Sequence, residues 1–285
     1  MPVSLAQMGE NRNGENKGRR PGRRAAEPGR AANRVSHTAA PRRSGPDRPR
    51  RAQPRQTSGP ERTESPSGPH IPASVEAKQL APDVRAELFT LDKATADTVA
   101  RHLVAAGELL DVDPEAALAH AQAARSRSGR IAAIREAVGI AAYQCGDWAQ
   151  ALSEFRAARR MGSKSTLLPL IADCERGVGR PERAVELARS PEAAALTGDD
   201  ADEMRIVAAG ARADLGQLEQ ALAILSSPSP DLSRTGSTAA RLLYAYAETL
   251  LALDRPADAL GWFMHSAAAD IDGVTDAEDR IDELA

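Results

Sequence analysis

Hydrophobic residues recur at the three- and four-residue spacing of an amphipathic helix from about residue 75 to the end of the chain. The first such pattern is short, since Pro82 suits a first helical turn and the spacing predicts a leading helix over 82–90. Asp92 can cap a second helix, whose apolar stripe continues to about residue 110. The alternating pattern of a β-strand is nearly absent, and aromatic residues make up only 3% of the chain. The pattern therefore predicts an all-α fold.

A helical hairpin recurs five times after the leading helix. In each copy a turn precedes an Ala-Leu or Ala-Val step near the start of the second helix: Ala117-Leu118, Ala151-Leu152, Ala184-Val185, Ala221-Leu222 and Ala259-Leu260, at spacings of 34, 33, 37 and 38 residues. A side chain that can fill the wedge between the helices follows four residues later in three copies: Phe155, Leu225 and Phe263. A small residue recurs about twelve residues before each step: Ala105, Gly139, Ala172, Ala209 and Ala247. Because one hairpin cannot bury its own apolar face, this recurrence predicts a stack of hairpins.

The second copy, residues 132–163, resembles a tetratricopeptide repeat. The residues that match the family's order and spacing are Gly139, Tyr143, Gly146, Asp147, Trp148, Ala151, Phe155 and Ala158. The other copies are degenerate and are recognised by the phase that the second copy sets. The resemblance implies a right-handed α-solenoid of about five helix-turn-helix repeats over residues 93–270.

Prolines predict irregularities in the third copy. Ser190-Pro191 should end its second helix near Ala188, and Pro169 must lie in the first turn of its helix. We therefore expect a bend near residues 189–200.

The domain organisation that we predict has four parts. They are a basic, disordered arm over 1–72, a linker with the short leading helix over 73–92, the solenoid over 93–270, and an acidic capping helix within 271–285.

Charge separates the arm from the rest of the chain. Residues 1–70 hold 15 Lys and Arg against 6 Asp and Glu, whereas residues 71–285 hold 22 against 34, so the net charges are +9 and −12. The arm is rich in Pro and Gly and poor in apolar residues, which predicts disorder. Its arginine pairs are candidates for non-specific RNA contact: Arg19, Arg20, Arg23, Arg24, Arg42, Arg43, Arg50 and Arg51. The alternative, a solvated tail or a misplaced start codon, remains open.

The resemblance also implies a groove, lined by the first helix of each hairpin, that binds a peptide or a helix of another protein. The groove-facing positions would be His102, Glu136, Ile140, Tyr143, Asp173, Arg176, Asp214, Arg241, Tyr244 and Glu248. Tyrosine and arginine often dominate protein interfaces, although the two tyrosines could instead pack between repeats. The Lys and Asn clamp with which some relatives hold chaperone tails is absent, since these positions are His102, Ala106, Glu136 and Ile140.

Other chemistry has little support in the sequence. Neither the five histidines nor Cys145 and Cys174 have metal-ligand spacing, and no nucleotide-binding or hydrolase motif occurs. We expect the cysteines to be small core residues, and Trp148, Trp262 and Phe263 to be core wedges. No apolar run suits a signal peptide or a membrane span. These observations predict a cytoplasmic protein that is not an enzyme and has no cofactor, no metal and no membrane contact.

Three functional hypotheses follow from these patterns. The first is a protein-interaction scaffold that binds a peptide or a helix in the groove. The second is an RNA- or ribosome-associated adaptor that uses the basic arm. The third is a self-inhibited binding module in which the arm, with its charge of +9, competes for the groove.

Overall fold

The computed structural model describes residues 68–285, so the eight candidate arginines of the arm lie outside the described residues. Within residues 68–285 the regular structure is entirely helical, with twelve α-helices and no strand. They are α1 (Pro82–Glu87), α2 (Lys93–Leu109), α3 (Pro114–Arg127), α4 (Ala132–Gln144), α5 (Trp148–Arg160), α6 (Leu168–Gly177), α7 (Pro181–Ala188), α8 (Gly198–Asp214), α9 (Leu218–Ser226), α10 (Ser237–Ala252), α11 (Pro256–Ala269) and α12 (Ala277–Leu284). The all-α prediction is confirmed.

The helices pack as five successive hairpins, α2 with α3, α4 with α5, α6 with α7, α8 with α9 and α10 with α11. The second helix of each hairpin also packs against the first helix of the next, and α8 contacts both α6 and α10. Each hairpin thus covers the apolar face of its neighbour. This arrangement is the predicted solenoid of helix-turn-helix repeats.

The start of the stack follows the sequence signals closely. The leading helix is α1, extended by a 3₁₀ turn over Leu88–Thr90. Asp92 Oδ1 accepts a hydrogen bond from Thr95 N at 3.0 Å, so the predicted cap of α2 is confirmed.

The wedge residues lie at the centre of their hairpins. Phe155, Leu225 and Phe263 are completely buried. Gly139 lies directly under the Phe155 ring, where an added Cβ would be only 2.6 Å from a ring carbon. The small residue in α4 therefore permits a close approach that a larger residue would prevent.

Glycines with positive φ end the first helix of the three middle hairpins. Gly146, Gly179 and Gly216 have φ values of +71°, +76° and +71°, a left-handed conformation that costs glycine little. In the fifth hairpin Asp254 takes this conformation, with φ +59°. These turns determine where each second helix begins.

The predicted irregularities of the third hairpin are present. Helix α7 ends at Ala188, two residues before Ser190-Pro191, and Pro169 is the second residue of α6. The connection to α8 contains one 3₁₀ turn, Ala193–Ala195. The bend that we expect there stays a prediction.

The acidic helix at the end of the chain is α12, which packs against α11. Ala277 is buried, and Ile281 and Leu284 cover the apolar cluster around Phe263. Arg280 Nε donates to Glu248 Oε1 on α10 at 3.0 Å. Helix α12 thus covers the apolar face of the last hairpin.

A substitution at Gly177 tests how closely α6 approaches α5. An added Cβ would lie 2.4 Å from Trp148 Cγ, so Gly177→Ala forces the ring to move, at a typical cost of about 1–3 kcal/mol. That cost exceeds the roughly 1 kcal/mol that alanine gains over glycine in a helix. We expect a lower free energy of unfolding, measured by urea denaturation. Gly261→Ala, in open space on α11, is the matched control and should be neutral or stabilising. The same gain for both variants would contradict the close approach.

Candidate functional site

A ladder of polar contacts joins the first helices of successive hairpins. The Tyr143 hydroxyl on α4 donates to the Asp173 carboxylate on α6. Arg176, also on α6, donates from Nη1 to Asp173 Oδ1 at 2.7 Å. It donates from Nε and Nη2 to the two oxygens of Asp214 on α8, at 2.8 and 3.2 Å. We call the surface formed by α4, α6, α8 and α10 the first-helix face.

The ladder continues towards the end of the chain. Arg241 on α10 donates from Nη2 to Glu203 on α8, and Thr238 Oγ1 donates to the same carboxylate at 2.9 Å. The Tyr244 ring packs edge-on against Phe263, with the ring centres 5.4 Å apart. Burial, together with the hydrogen bond with Asp276, raises the pKa of Tyr244. Neighbouring hairpins are thus tied by side-chain bonds as well as by apolar packing.

Four of the predicted groove residues are buried, so the expectation that their side chains face an open groove is wrong. The exposed fractions are 2% for His102, 1% for Glu136, 2% for Ile140 and 5% for Tyr143. The Nδ1 atoms of His102 and His120 are 3.0 Å apart.

The other three side chains are occupied by their own surroundings. Glu136 accepts hydrogen bonds from the hydroxyls of Ser163 and Ser165, and Ile140 belongs to the central apolar cluster. Tyr143 packs edge-on against Trp148, with the ring centres 4.9 Å apart. Burial and the negative charge of Asp173 raise the pKa of Tyr143.

The remaining six candidates are at least partly exposed, namely Asp173, Arg176, Asp214, Arg241, Tyr244 and Glu248. The structure brings the first three together around one open recess of about 520 Å³. Arg241, Tyr244 and Glu248 lie further along the first-helix face, on α10. The predicted groove residues therefore divide into a buried group and an accessible group.

The recess lies where the turns of the second, third and fourth hairpins meet. Its lining includes Trp148, Asp173, Arg176, Gly177, Pro181 and Asp214. Trp148 is the first residue of α5, and Asp147 before it caps that helix by accepting from Gln150 N at 3.0 Å. Gly177 ends α6, Pro181 begins α7, and Asp214 ends α8. Four helix termini thus fix the positions of the lining side chains.

The guanidinium group of Arg176 is held rigidly in this recess. Burial lowers its pKa, but the hydrogen bond to Asp214 and the charge of Asp173 more than offset that effect, so its pKa is raised. The group also lies against Gly210 on α8, where an added Cβ would be 2.7 Å from Arg176 Cζ. The Arg176 side chain is therefore charged and is held between the carboxylates of Asp173 and Asp214.

Trp148 and the glycines around the recess have roles that the sequence reasoning missed. The sequence suggested that Trp148 is a core wedge, yet the ring is only half-buried and lines the recess. Gly177 and Gly210, which allow Trp148 and Arg176 to approach the helices, were not singled out. A glycine inside a helical pattern is a general sign of close approach, and it could have indicated both positions.

The other two wedge candidates, Trp262 and Phe263, differ in their burial. Phe263 is completely buried, as expected for a core wedge. Trp262 is half-buried and stacks on Tyr246, with the ring centres 4.1 Å apart and the planes at 21°.

Burial raises the thiol pKa of both cysteines. Cys174 is buried, and burial raises its thiol pKa to about 12. Cys145, at the end of α4, is half-buried, and both thiols are free. Residues 68–285 contain no group of three or more His, Cys, Asp or Glu side chains that could hold a metal ion. In the same range, no helix combines the length and the apolar character that crossing a bilayer requires.

No protein-family model matches the chain, and no curated protein matches it either. Among solved structures, the chain is similar to YrrB, described as a TPR protein with an unusual peptide-binding site. The two are 18% identical, the match covers 67% of this chain and 95% of that chain, and the TM-score is 0.40. From its own helix pairs, turn glycines and wedge residues, the described part of this chain is an all-α solenoid of tetratricopeptide-like hairpins.

Proposed function

We propose that this chain is a non-enzymatic protein-interaction scaffold that binds a peptide or a helix of another protein on the first-helix face. The observation that supports the proposal is the open recess, where a half-buried indole and a fixed guanidinium converge with two carboxylates. Trp and Arg are the residue types that most often dominate binding energy at protein interfaces. The recess, at about 520 Å³, lies within the usual size range of ligand-binding pockets.

Rigidity strengthens this surface as a binding site. Arg176 donates to both Asp173 and Asp214, and the Tyr143 hydroxyl donates to the other carboxylate oxygen of Asp173. Side chains that are already ordered lose little conformational entropy when a partner binds. The accessible residues of the ladder therefore form a pre-organised contact surface, and α10 extends it through Arg241 and Glu248.

A double substitution in the recess is expected to weaken binding at least about 30-fold. The variant Arg176→Ala with Asp214→Ala removes both members of this ion pair, so that neither residue is left without its partner. Loss of an interface hot spot costs at least about 2 kcal/mol, which corresponds to roughly 30-fold weaker binding. The measurement is capture from a cell lysate by the full chain, then calorimetric titration of the captured protein. Arg255→Ala, which removes an exposed ion pair with Asp258 at the start of α11, is the control and should bind normally.

The lysate experiment also separates this proposal from the adaptor hypothesis. A partner that both variants bind equally well would contradict a role for the recess. Captured material that RNase releases would favour RNA contact through the arm, because nucleic acid would then be the link. The circular dichroism melting curves of both variants must match the unmodified chain for either comparison to count.

A further inference from the structure

The charge around the recess is unbalanced. Two carboxylates, Asp173 and Asp214, line it against one guanidinium, Arg176. All three nitrogens of that guanidinium group already donate to these same carboxylates. Among the described residues that line the recess, Arg176 is the one cation and is neutralised from within, so the lining itself carries one surplus negative charge. This negative charge would repel an anionic ligand and attract a cationic one.

The aromatic side of the recess also favours a cation. The Trp148 ring rests on Gly177, where an added Cβ would lie 2.4 to 2.8 Å from three ring carbons. Tyr143 meets it edge-on. Indole is the aromatic group that attracts cations most strongly, through the negative face of its ring. Because Trp148 and the two carboxylates line the same recess, a guanidinium or an ammonium group could contact the indole and a carboxylate together.

The adjacent helix start offers little to an anion. Helix α7 begins at the recess with Pro181, which has no N–H to donate, and Glu182 and Arg183 carry opposite charges in its first turn. Anion sites at helix starts depend on free N–H groups. The first of these donors is missing here, so the helix start adds little that would favour an anion.

We infer that the recess accepts an arginine or lysine side chain of the partner peptide, with its cationic group between the Trp148 indole and the Asp214 carboxylate. The inference rests on the proposed function and names the partner's chemistry, a basic peptide. Attraction at longer range has the same sign, since residues 71–285 hold 22 basic against 34 acidic residues. The partner's charged side chain completes the recess that Arg176 only half neutralises.

Defined peptides test this inference with the full chain. The probes are blocked pentapeptides, Gly-Ser-X-Ser-Gly, with Arg, Lys, Gln or Glu at X. The readout is the NMR signal of the Trp148 indole N–H, assigned by its persistence in Trp262→Phe. The Arg and Lys peptides should shift this signal in a saturable manner that weakens with added salt, and the Gln and Glu peptides should not.

Carboxylate variants identify the group that binds the cation. Asp214→Asn, which keeps the shape of the side chain, should weaken the response to the Arg peptide at least fivefold, and Asp214→Glu should largely restore it. Asp258→Asn, which removes an exposed carboxylate paired with Arg255 on α11, should leave the response unchanged. An equal loss in the Asp258 variant would overturn the inference, because the effect would then be one of general charge.

Other outcomes also overturn it. A shift with the Glu peptide as large as that with the Arg peptide would show that the recess does not select cations. A Trp148 signal that changes with added salt but does not respond to any peptide would also contradict the inference. Such a result would indicate that arginines of the chain's own basic arm occupy the recess. Lysate capture that depends on Arg176 and Asp214, with no response to basic peptides, would reject the inference and leave the proposed function standing. If both experiments fail, the proposed function fails as well.

Discussion

Replacing Phe155 with alanine is expected to lower the free energy of unfolding by about 3–5 kcal/mol. The ring is completely buried and fills the wedge between α4 and α5, directly above Gly139. Truncation removes its apolar contacts and leaves a cavity that the rigid hairpin cannot fully close. Urea denaturation followed by helical circular dichroism measures the loss. Met161→Ala, at the exposed end of the same helix, is the control and should change stability by about 0.5 kcal/mol or less.

The same site allows a test of the coupling between the wedge and the small residue. Gly139→Ala alone should destabilise the hairpin, because its methyl group would lie 2.6 Å from the Phe155 ring. Combined with Phe155→Leu, which is a smaller side chain, the added methyl group should be tolerated better than in the unmodified chain. Residues in contact give non-additive effects. Strictly additive losses would mean that the two positions do not form one packing unit.

The elements that the sequence predicted well depend on local signals. Helix α7 is short because Ser190-Pro191 follows it, and α2 begins where Asp92 can cap it. The turn glycines end the first helices of the three middle hairpins through their own backbone conformation. The recurrence of such signals in successive copies gave the hairpin phase even where single copies were degenerate. Stacking needs no long-range information beyond this phase, because each hairpin contacts its neighbours.

The site was predicted less well because it depends on neighbouring hairpins. Tyr143 lies on the expected helix, but Trp148 of the next helix and Asp173 of the next hairpin enclose it. Glu136 is likewise enclosed by hydroxyl groups that belong to the loop before α6. Helical periodicity assigns a face to each residue, but not the depth at which a neighbouring hairpin covers that face. Burial on the first-helix face therefore could not be read from one repeat.

The recess also depends on contacts between neighbouring hairpins. It exists because Gly177 admits the Trp148 ring and Gly210 admits the Arg176 guanidinium group. Each approach joins residues of two hairpins, so a glycine within one copy of the repeat can indicate a close approach but not the side chain that makes it. Asp173, Arg176 and Asp214 were chosen as groove residues from the family pattern, and these three do lie together. The family pattern did not indicate that Trp148 lies beside these three residues, and it did not indicate the net charge of the recess.

Acid is expected to destabilise the protein through a pair of buried histidines. His102 on α2 and His120 on α3 are both buried, with their Nδ1 atoms 3.0 Å apart. One neutral imidazole can donate to the other at this distance, but two protonated rings would place two donors face to face. Burial, followed by the positive charges of Arg127, His120 and Arg101, lowers the pKa of His102 to about 4. Burial also lowers the pKa of His120.

These shifts set the sign and the pH range of the effect. In the unfolded chain His102 binds a proton with the ordinary pKa of 6.5, so the unfolded state takes up the proton first as the pH falls. The stability that the neutral pair contributes is therefore complete above pH 6.5 and is lost as the pH falls towards 4. Each pKa unit corresponds to 1.36 kcal/mol, so His102 alone should account for a loss of about 3 kcal/mol across this range.

A histidine variant isolates this contribution from the general effect of acid on carboxylates. The free energy of unfolding, measured by urea denaturation at several pH values between 7.5 and 4, should fall less steeply in His102→Gln than in the unmodified chain. The comparison uses the slope with pH, because glutamine also changes the stability at neutral pH. His265→Gln, on the exposed side of α11, should retain the original slope. A His102→Gln slope equal to that of the unmodified chain would show that the pair is protonated as easily in the folded state as in the unfolded state, in contradiction to its burial between α2 and α3.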